Sequence, residues 1–233
     1  MTLLTLAQAA CDIIGMPRPT SVMAGADQTA RTMLSLAQRE GRALARRWTW
    51  TALRKQQTFT TVAQTVQTGA VPSDFDRMVS ETFWNRTDQE RVVGPVTPEE
   101  WQGLVASVAL PIESAFQMRA GQIELYPVPT AGETYAYEYV SSQWCQSAGG
   151  SGQSAWAADT DTGLLDEELT TLGLVWRFKQ SRGLDYAEDM TTYEEQVLQA
   201  MARDGTRRTA RLAREIDYGA AHYPMVPEGN WAV

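Results

Sequence analysis

Apolar and polar positions follow three textures along the chain. From Leu3 to Ile14, apolar residues recur at Leu3, Leu6, Ala10, Ile13 and Ile14, the three-and-four spacing of one helix face. Gly15, Pro17 and Pro19 stop it. Asp27 is placed to cap a second helix, whose apolar side runs Ala30, Met33, Leu34, Ala37, Gly41, Leu44 and Trp48. Arg39, Arg42, Arg46 and Arg47 fall elsewhere around that cylinder. The helix is predicted to fade around Arg54, where the β-favouring run QTFTTVA begins.

From Gln57 to Trp144 the period shortens. Runs rich in Thr, Val, Tyr and Phe alternate with Gly, Pro and Asp, the texture of antiparallel strands. Strands are predicted over Thr58–Val62, Arg77–Trp84, Ala115–Arg119, Gln122–Tyr126 and Thr134–Ser141. Ala120-Gly121 sits where a two-residue hairpin turn belongs, and Tyr135, Tyr137 and Tyr139 share one strand face. One helix interrupts this stretch, announced by a capping box at Thr97-Pro98-Glu99-Glu100.

A Gly/Ser/Ala-rich segment, Ser147 to Asp161, reads as a flexible loop. The helical period then returns. Leu165, Leu169, Leu172 and Trp176 form one stripe, and Tyr186, Met190, Tyr193, Val197 and Met201 a second, with Gly183 breaking the two apart. Helical signal continues through Thr206–Glu215 after a weak point at Asp204-Gly205, and the remaining tail shows no period. The predicted fold class is therefore α+β, mainly α. N- and C-terminal helices form a bundle that carries an inserted antiparallel β-rich subdomain and ends in an extended arm. The divisions are 1–56 and 164–216 for the bundle helices, 57–145 for the insertion, 146–163 for the loop and 217–233 for the tail.

Length and charge narrow the function classes. The 233 residues suffice for a sizeable core, and no window approaches the ~18 apolar residues of a membrane span. The apolar start MTLLTLAQAACDIIG lacks a basic leader and is interrupted by Asp12, so it reads as a first helix, not a signal segment. Two distant cysteines, Cys11 and Cys145, exclude a disulfide scaffold and point to synthesis in a reducing compartment. A net charge of -8 argues against general nucleic-acid binding.

Candidate chemistry is sparse. The single histidine, His222, lies in the aperiodic tail, a poor setting for a nucleophile's base. The carboxylate pairs Glu99/Glu100, Asp159/Asp161, Asp166 to Glu168 and Glu194/Glu195 fall in helix first turns or on solvated faces. Asp159-Thr160-Asp161 opens like a calcium loop, but the glycine and glutamate that should follow do not match. GGSG at Gly149–Gly152 lacks the strand, helix and lysine of a phosphate loop. No catalytic, cofactor or metal residue is expected.

The strongest local charge anomaly is Arg203, Arg207, Arg208, Arg211 and Arg214, in a chain with 18 Arg and 2 Lys. A solvated face, an acidic protein partner and DNA phosphates all fit such a cluster. The aromatic residues that follow, Tyr218, Tyr223 and Trp231, are typical interface anchors. Together they read as a docking arm that orders on binding.

The combination of the N-terminal LAQAACDIIG, YAYEYVSSQWC, the Gly-rich loop and ADTDTGLLDEELTTLGLVWRFKQSRGLDYAEDMTTYEEQ resembles the head–tail connector (adaptor) proteins of tailed bacteriophages. The likeness centres on Trp144 to Asp204, with Leu-Gly-Leu-x-Trp-Arg at Leu172–Arg177 and Gly-Leu-Asp-Tyr at Gly183–Tyr186. The resemblance implies a non-enzymatic virion protein made in the host cytoplasm and lodged at the head–tail interface. It implies a homo-oligomeric ring, twelvefold in most of the family, bound below the portal protein. Such a ring extends the channel for double-stranded DNA without sequence-specific binding and presents a platform to the next tail or nozzle protein. Leu165, Leu169, Leu172, Trp176, Tyr186, Met190, Tyr193 and Val197 become bundle-core or subunit-contact residues, and the basic cluster and tail aromatics become the portal-docking arm. An acidic balance also suits a bore through which DNA slides. The competing readings are a stopper or tail terminator, and a carboxylate-based hydrolase.

Overall fold

The computed structural model describes residues 1–25, 27–107 and 113–205. In chain order the elements are α1 (Leu3–Ile14), α2 (Gln28–Arg47), β1 (Arg54–Thr60), β2 (Val66–Gln67), β3 (Phe75–Met78), β4 (Trp84–Asn85), β5 (Glu90–Arg91), α3 (Pro98–Ala106), β6 (Ala115–Arg119), β7 (Gln122–Tyr126), β8 (Thr134–Ser141), β9 (Cys145–Gln146), β10 (Gly152–Gln153), β11 (Thr162–Gly163), α4 (Glu167–Ser181) and α5 (Ala187–Asp204). The class is α+β, with every strand pairing in the sheets antiparallel.

Helix α4 packs against α1, α2 and α5, and its neighbours' apolar stripes meet on it. The resulting core gathers Leu3 and Leu6, Met33 and Leu44, Leu174 and Phe178, and Tyr193 and Val197. Close packing leaves no space at Gly41, where a Cβ would sit 2.1 Å from the Trp144 ring. Trp144 in turn meets Trp156 edge-on at 5.3 Å.

The second core belongs to the strands. β8 pairs with β1 along one edge and with β3 and β4 along the other. Tyr135, Tyr137 and Tyr139 all point into this core, as their period-two spacing requires. Phe116, Ile123 and Leu125 from the β2-β7-β6 sheet cover them, and Phe83 meets Phe116 edge-on at 4.9 Å. The β6–β7 hairpin turns at Ala120 and Gly121, both at positive φ (50° and 73°), the geometry of a type I′ turn. Val140, on the opposite face of β8, belongs to the helical core, so one strand serves both.

Three boundaries differ from those the sequence predicts. Helix α2 ends at Arg47, short of Arg54, and the following strand is Arg54–Thr60, where Thr58–Val62 is predicted. The reason is tertiary: the buried Trp50 indole donates to the Leu44 carbonyl at 2.7 Å and Arg77 donates to the Trp48 carbonyl at 2.6 Å. Those contacts satisfy terminal carbonyls that a longer helix would have used. Trp48 falls outside the helix and is 37% exposed, while Leu36, Glu40 and Ala45 join the buried side. The run Arg77–Trp84 is not one strand. β3 ends at Met78, the chain turns at Glu81 (φ 65°) and β4 begins at Trp84. The Thr82 hydroxyl fixes that turn by donating to the Val79 carbonyl at 2.7 Å.

The third difference is the segment read as a loop. Residues 146–163 contribute to β9, β10 and β11, and bury Trp156. Asp159 accepts the Val22 and Met23 amides at 2.9 and 3.0 Å, and Asp161 accepts those of Ala157 and Ala158 at 2.7 and 2.8 Å. The Leu3 amide donates to the Asp161 carbonyl. The acidic pair is thus a clip holding α1 and the 21–23 turn, which composition alone does not reveal. The helical signal over Thr206–Glu215 and the tail beyond it lie outside the described residues.

Trp176 is buried against Tyr186 and Tyr193, at ring distances of 6.5 and 6.0 Å. Trp176→Ala is expected to cost about 3–5 kcal/mol, measured by urea unfolding; a shift near zero would place the ring outside the core. Burial raises the pKa of four tyrosines: Tyr135 and Tyr139 to about 12, and Tyr137 and Tyr193 further. A raised folded pKa gives stability that is present below the unfolded value of ~10 and lost as pH climbs through the folded one. Ionisation of these four phenols should therefore coincide with unfolding above pH ~10, and phenolate absorbance equivalent to all eight tyrosines of the chain while the fold persists would contradict it.

Candidate functional site

The predicted helix pair is built around a polar network that the sequence reading does not include. Glu40 of α2 is 0% exposed. One carboxylate oxygen accepts from Arg177 Nε of α4 at 2.5 Å, and the other from the Tyr193 hydroxyl of α5 at 2.5 Å. An isolated carboxylate would be costly here; pairing both oxygens offsets that cost. Gly173, one turn before Arg177, gives the carboxylate its space, since a Cβ there would lie 2.3 Å from Glu40 Cδ. The Arg177 guanidinium lies over the Trp176 ring, 4.4 Å from its centroid. Arg47 extends the network by pairing with Glu194 and approaching the Tyr193 ring. The Glu194 carboxyl is held below the usual range by that hydrogen bond to Arg47.

This geometry accounts for both motif fragments. In Leu172–Arg177 the glycine makes room, the tryptophan fills the core and the arginine pairs with the buried acid. In Gly183–Tyr186 the glycine (φ 69°) terminates α4. Its amide and that of Leu184 return to the Gln180 and Lys179 carbonyls, which closes a Schellman motif. Asp166 caps the other end of α4, accepting from the Glu168 and Leu169 amides at 2.9 and 3.1 Å.

Among the predicted core or contact residues, Leu165, Leu169, Trp176, Tyr193 and Val197 are buried. Leu172 and Tyr186 are half-buried against the helical core. Met190 departs from the stripe, at 38% exposed, because α5 packs on α4 along a narrow line through Tyr193 and Val197. Arg203 is exposed on the last turn of α5. Arg207, Arg208, Arg211, Arg214, Tyr218, Tyr223, Trp231 and His222 lie outside the described residues. Sequence reasoning missed Glu40, although the signal is present: it sits at helical phase between Ala37 and Leu44, a charged residue inside an apolar stripe.

Several of the groups that might do chemistry have structural roles. Thr97 and Glu100 complete their capping box. Asp159, Asp161 and Asp166 hold backbone amides. Cys11 and Cys145 are buried free thiols, both pushed up by burial, Cys145 to about 12, so neither is a ready thiolate. No group of three or more His, Cys, Asp or Glu side chains fit to hold a metal occurs among the described residues. A 310 Å³ cleft lies between the start of α4, Trp50 and the end of α5. No helix among the described residues is long and apolar enough to cross a membrane.

A buried ion pair thus joins α2 to α4. The family model described as SU10 adaptor protein matches residues 1–222, and the chain belongs to that family of bacteriophage head–tail adaptors. It is a structural protein of the phage particle, and its family implies contact with portal and tail proteins. No curated protein gives a significant match.

Removing one member of the buried pair leaves the other uncompensated. Glu40→Ala is expected to destabilise by about 3–5 kcal/mol in chemical unfolding, and Glu40→Leu with Arg177→Met by clearly less. Equal losses would show that packing, not charge, dominates the site.

Proposed function

We propose that the chain is the head–tail adaptor of a tailed phage, assembled as a twelvefold ring below the portal. The ring continues the DNA channel and presents the platform on which the next tail or nozzle protein assembles. The observation that carries this reading is the family match over residues 1–222. The rigid α1, α2, α4 and α5 core supports it, because a ring wall needs subunits that do not deform when stacked under a portal.

The basic cluster that begins at Arg203 and the tail 217–233 supply the portal-docking arm in this reading. Arg207, Arg208, Arg211 and Arg214 meet acidic groups of the portal, and Tyr218, Tyr223 and Trp231 anchor the arm in apolar recesses. The net charge of -8 favours a bore that double-stranded DNA traverses without sticking. An assembled ring with a predominantly basic bore would overturn that last element.

Electron microscopy of the purified protein, with and without portal, tests the proposal: twelvefold rings stacked on portal are expected. Sixfold symmetry would instead indicate a stopper or terminator, and a monomer without portal affinity would reject the reading. Removing residues from Asp217 onward should leave the melting temperature unchanged while weakening portal attachment roughly tenfold or more. Undiminished attachment would refute the docking arm.

A further inference from the structure

The outer face of α2 carries Arg31, Arg39, Arg42 and Arg46, all exposed. These arginines lie on the side of the helix opposite Met33, Ala37 and Leu44, which are buried. Their spacing makes one stripe about 22 Å long at 1.5 Å per residue. No ion pair engages any of the four among the described residues. The only acidic residue on α2 is Glu40, which is buried and already paired.

A solvent-facing helix is ordinarily laced with opposite charges three or four residues apart. Here Arg39 and Arg42, and Arg42 and Arg46, are like charges at those spacings, an arrangement that destabilises an isolated helix. Counter-charge from beyond the described residues would relieve that repulsion.

The chain itself offers that counter-charge on another face. On α5, Glu188 and Glu195 are exposed, lie opposite the buried Tyr193 and Val197, and engage no ion pair among the described residues. They are seven residues apart, as are Arg39 and Arg46, so both pairs are spaced about 10 Å along their helices. Beside them, Leu198 is 60% exposed, the most exposed large apolar side chain among the described residues. Both helices pack on α4 with these faces turned outward.

We propose that the arginine ladder of α2 and the Glu188/Glu195 face of α5 are the two halves of a head-to-tail contact between copies of this chain. The two patches differ and sit on different helices, so the contact is heterologous, and heterologous contacts close into rings when the rotation allows. Each junction neutralises the ladder of one copy with the carboxylates of the next, and Leu198 is covered. This assignment rests on the ring reading above and adds the surfaces that make the ring. It also turns the ladder away from a bore that DNA must traverse.

Charge reversal tests it. Arg39→Glu/Arg46→Glu and Glu188→Arg/Glu195→Arg full-length variants are each expected to keep the wild-type melting temperature and circular dichroism. Each should lose self-association by sedimentation velocity, with the dissociation constant raised at least tenfold. Mixed one to one, the two variants present complementary faces only to each other, and are expected to recover oligomers of wild-type size. Wild-type assembly with undiminished assembly of both variants overturns the interface while leaving the adaptor reading intact. Loss of assembly in the variants without recovery on mixing also overturns it, and retention of a labelled DNA duplex by wild type but not by Arg39→Glu/Arg46→Glu would assign the ladder to DNA. A wild type that stays monomeric with and without portal rejects both the interface and the ring.

Discussion

The burial of Glu40 constrains the whole helical half of this protein. A carboxylate at 0% exposure is tolerable only with both oxygens paired, and the two donors come from different helices, Arg177 on α4 and Tyr193 on α5. Those donors reach it only in one relative register of α2, α4 and α5. The same register demands Gly173 where α2 crosses α4. Apolar packing, as at Gly41 against Trp144, favours that register too. The register in turn fixes which faces of α2 and α5 look outward.

The strand region carries a comparable polar network of its own. Asp74 accepts from Lys55 on β1 at 2.6 Å, and from Tyr139 and Ser141 on β8 at 2.9 and 2.8 Å. Burial pushes its pKa up, but the hydrogen bonds from Lys55, Ser141 and Tyr139 outweigh that and lower it. Because β8 contributes Val140 to the helical core and its tyrosines to the other, the two cores share a rigid strand.

The described polar groups divide into those that close the fold, such as Glu40, Asp159, Asp161 and Asp166, and those left outside without counter-charge, such as the α2 arginines. The first set gives Asp159, Asp161 and Asp166 a structural role. The second set is where partners and neighbouring copies are to be sought.

Periodicity determined much of the local structure: α1 at Leu3–Ile14, β6, β7 and β8, the hairpin at Ala120-Gly121 and the Thr97 capping box are all specified by short-range rules of spacing and turn chemistry. The stop at Gly183 was legible for the same reason, because only a residue tolerant of positive φ closes a helix that way. Tertiary structure decided the rest. Helix α2 ends at Arg47 because Trp50 and Arg77 supply donors from elsewhere, 146–163 is ordered because the Asp159 carboxylate and the Asp161 carbonyl find distant amides, and Met190 is exposed because α5 meets α4 along a narrow line. Glu40 shows the division most clearly. Its phase within the α2 stripe was visible in the sequence, but its partners lie 137 and 153 residues away, and only folding brings them within hydrogen-bond distance.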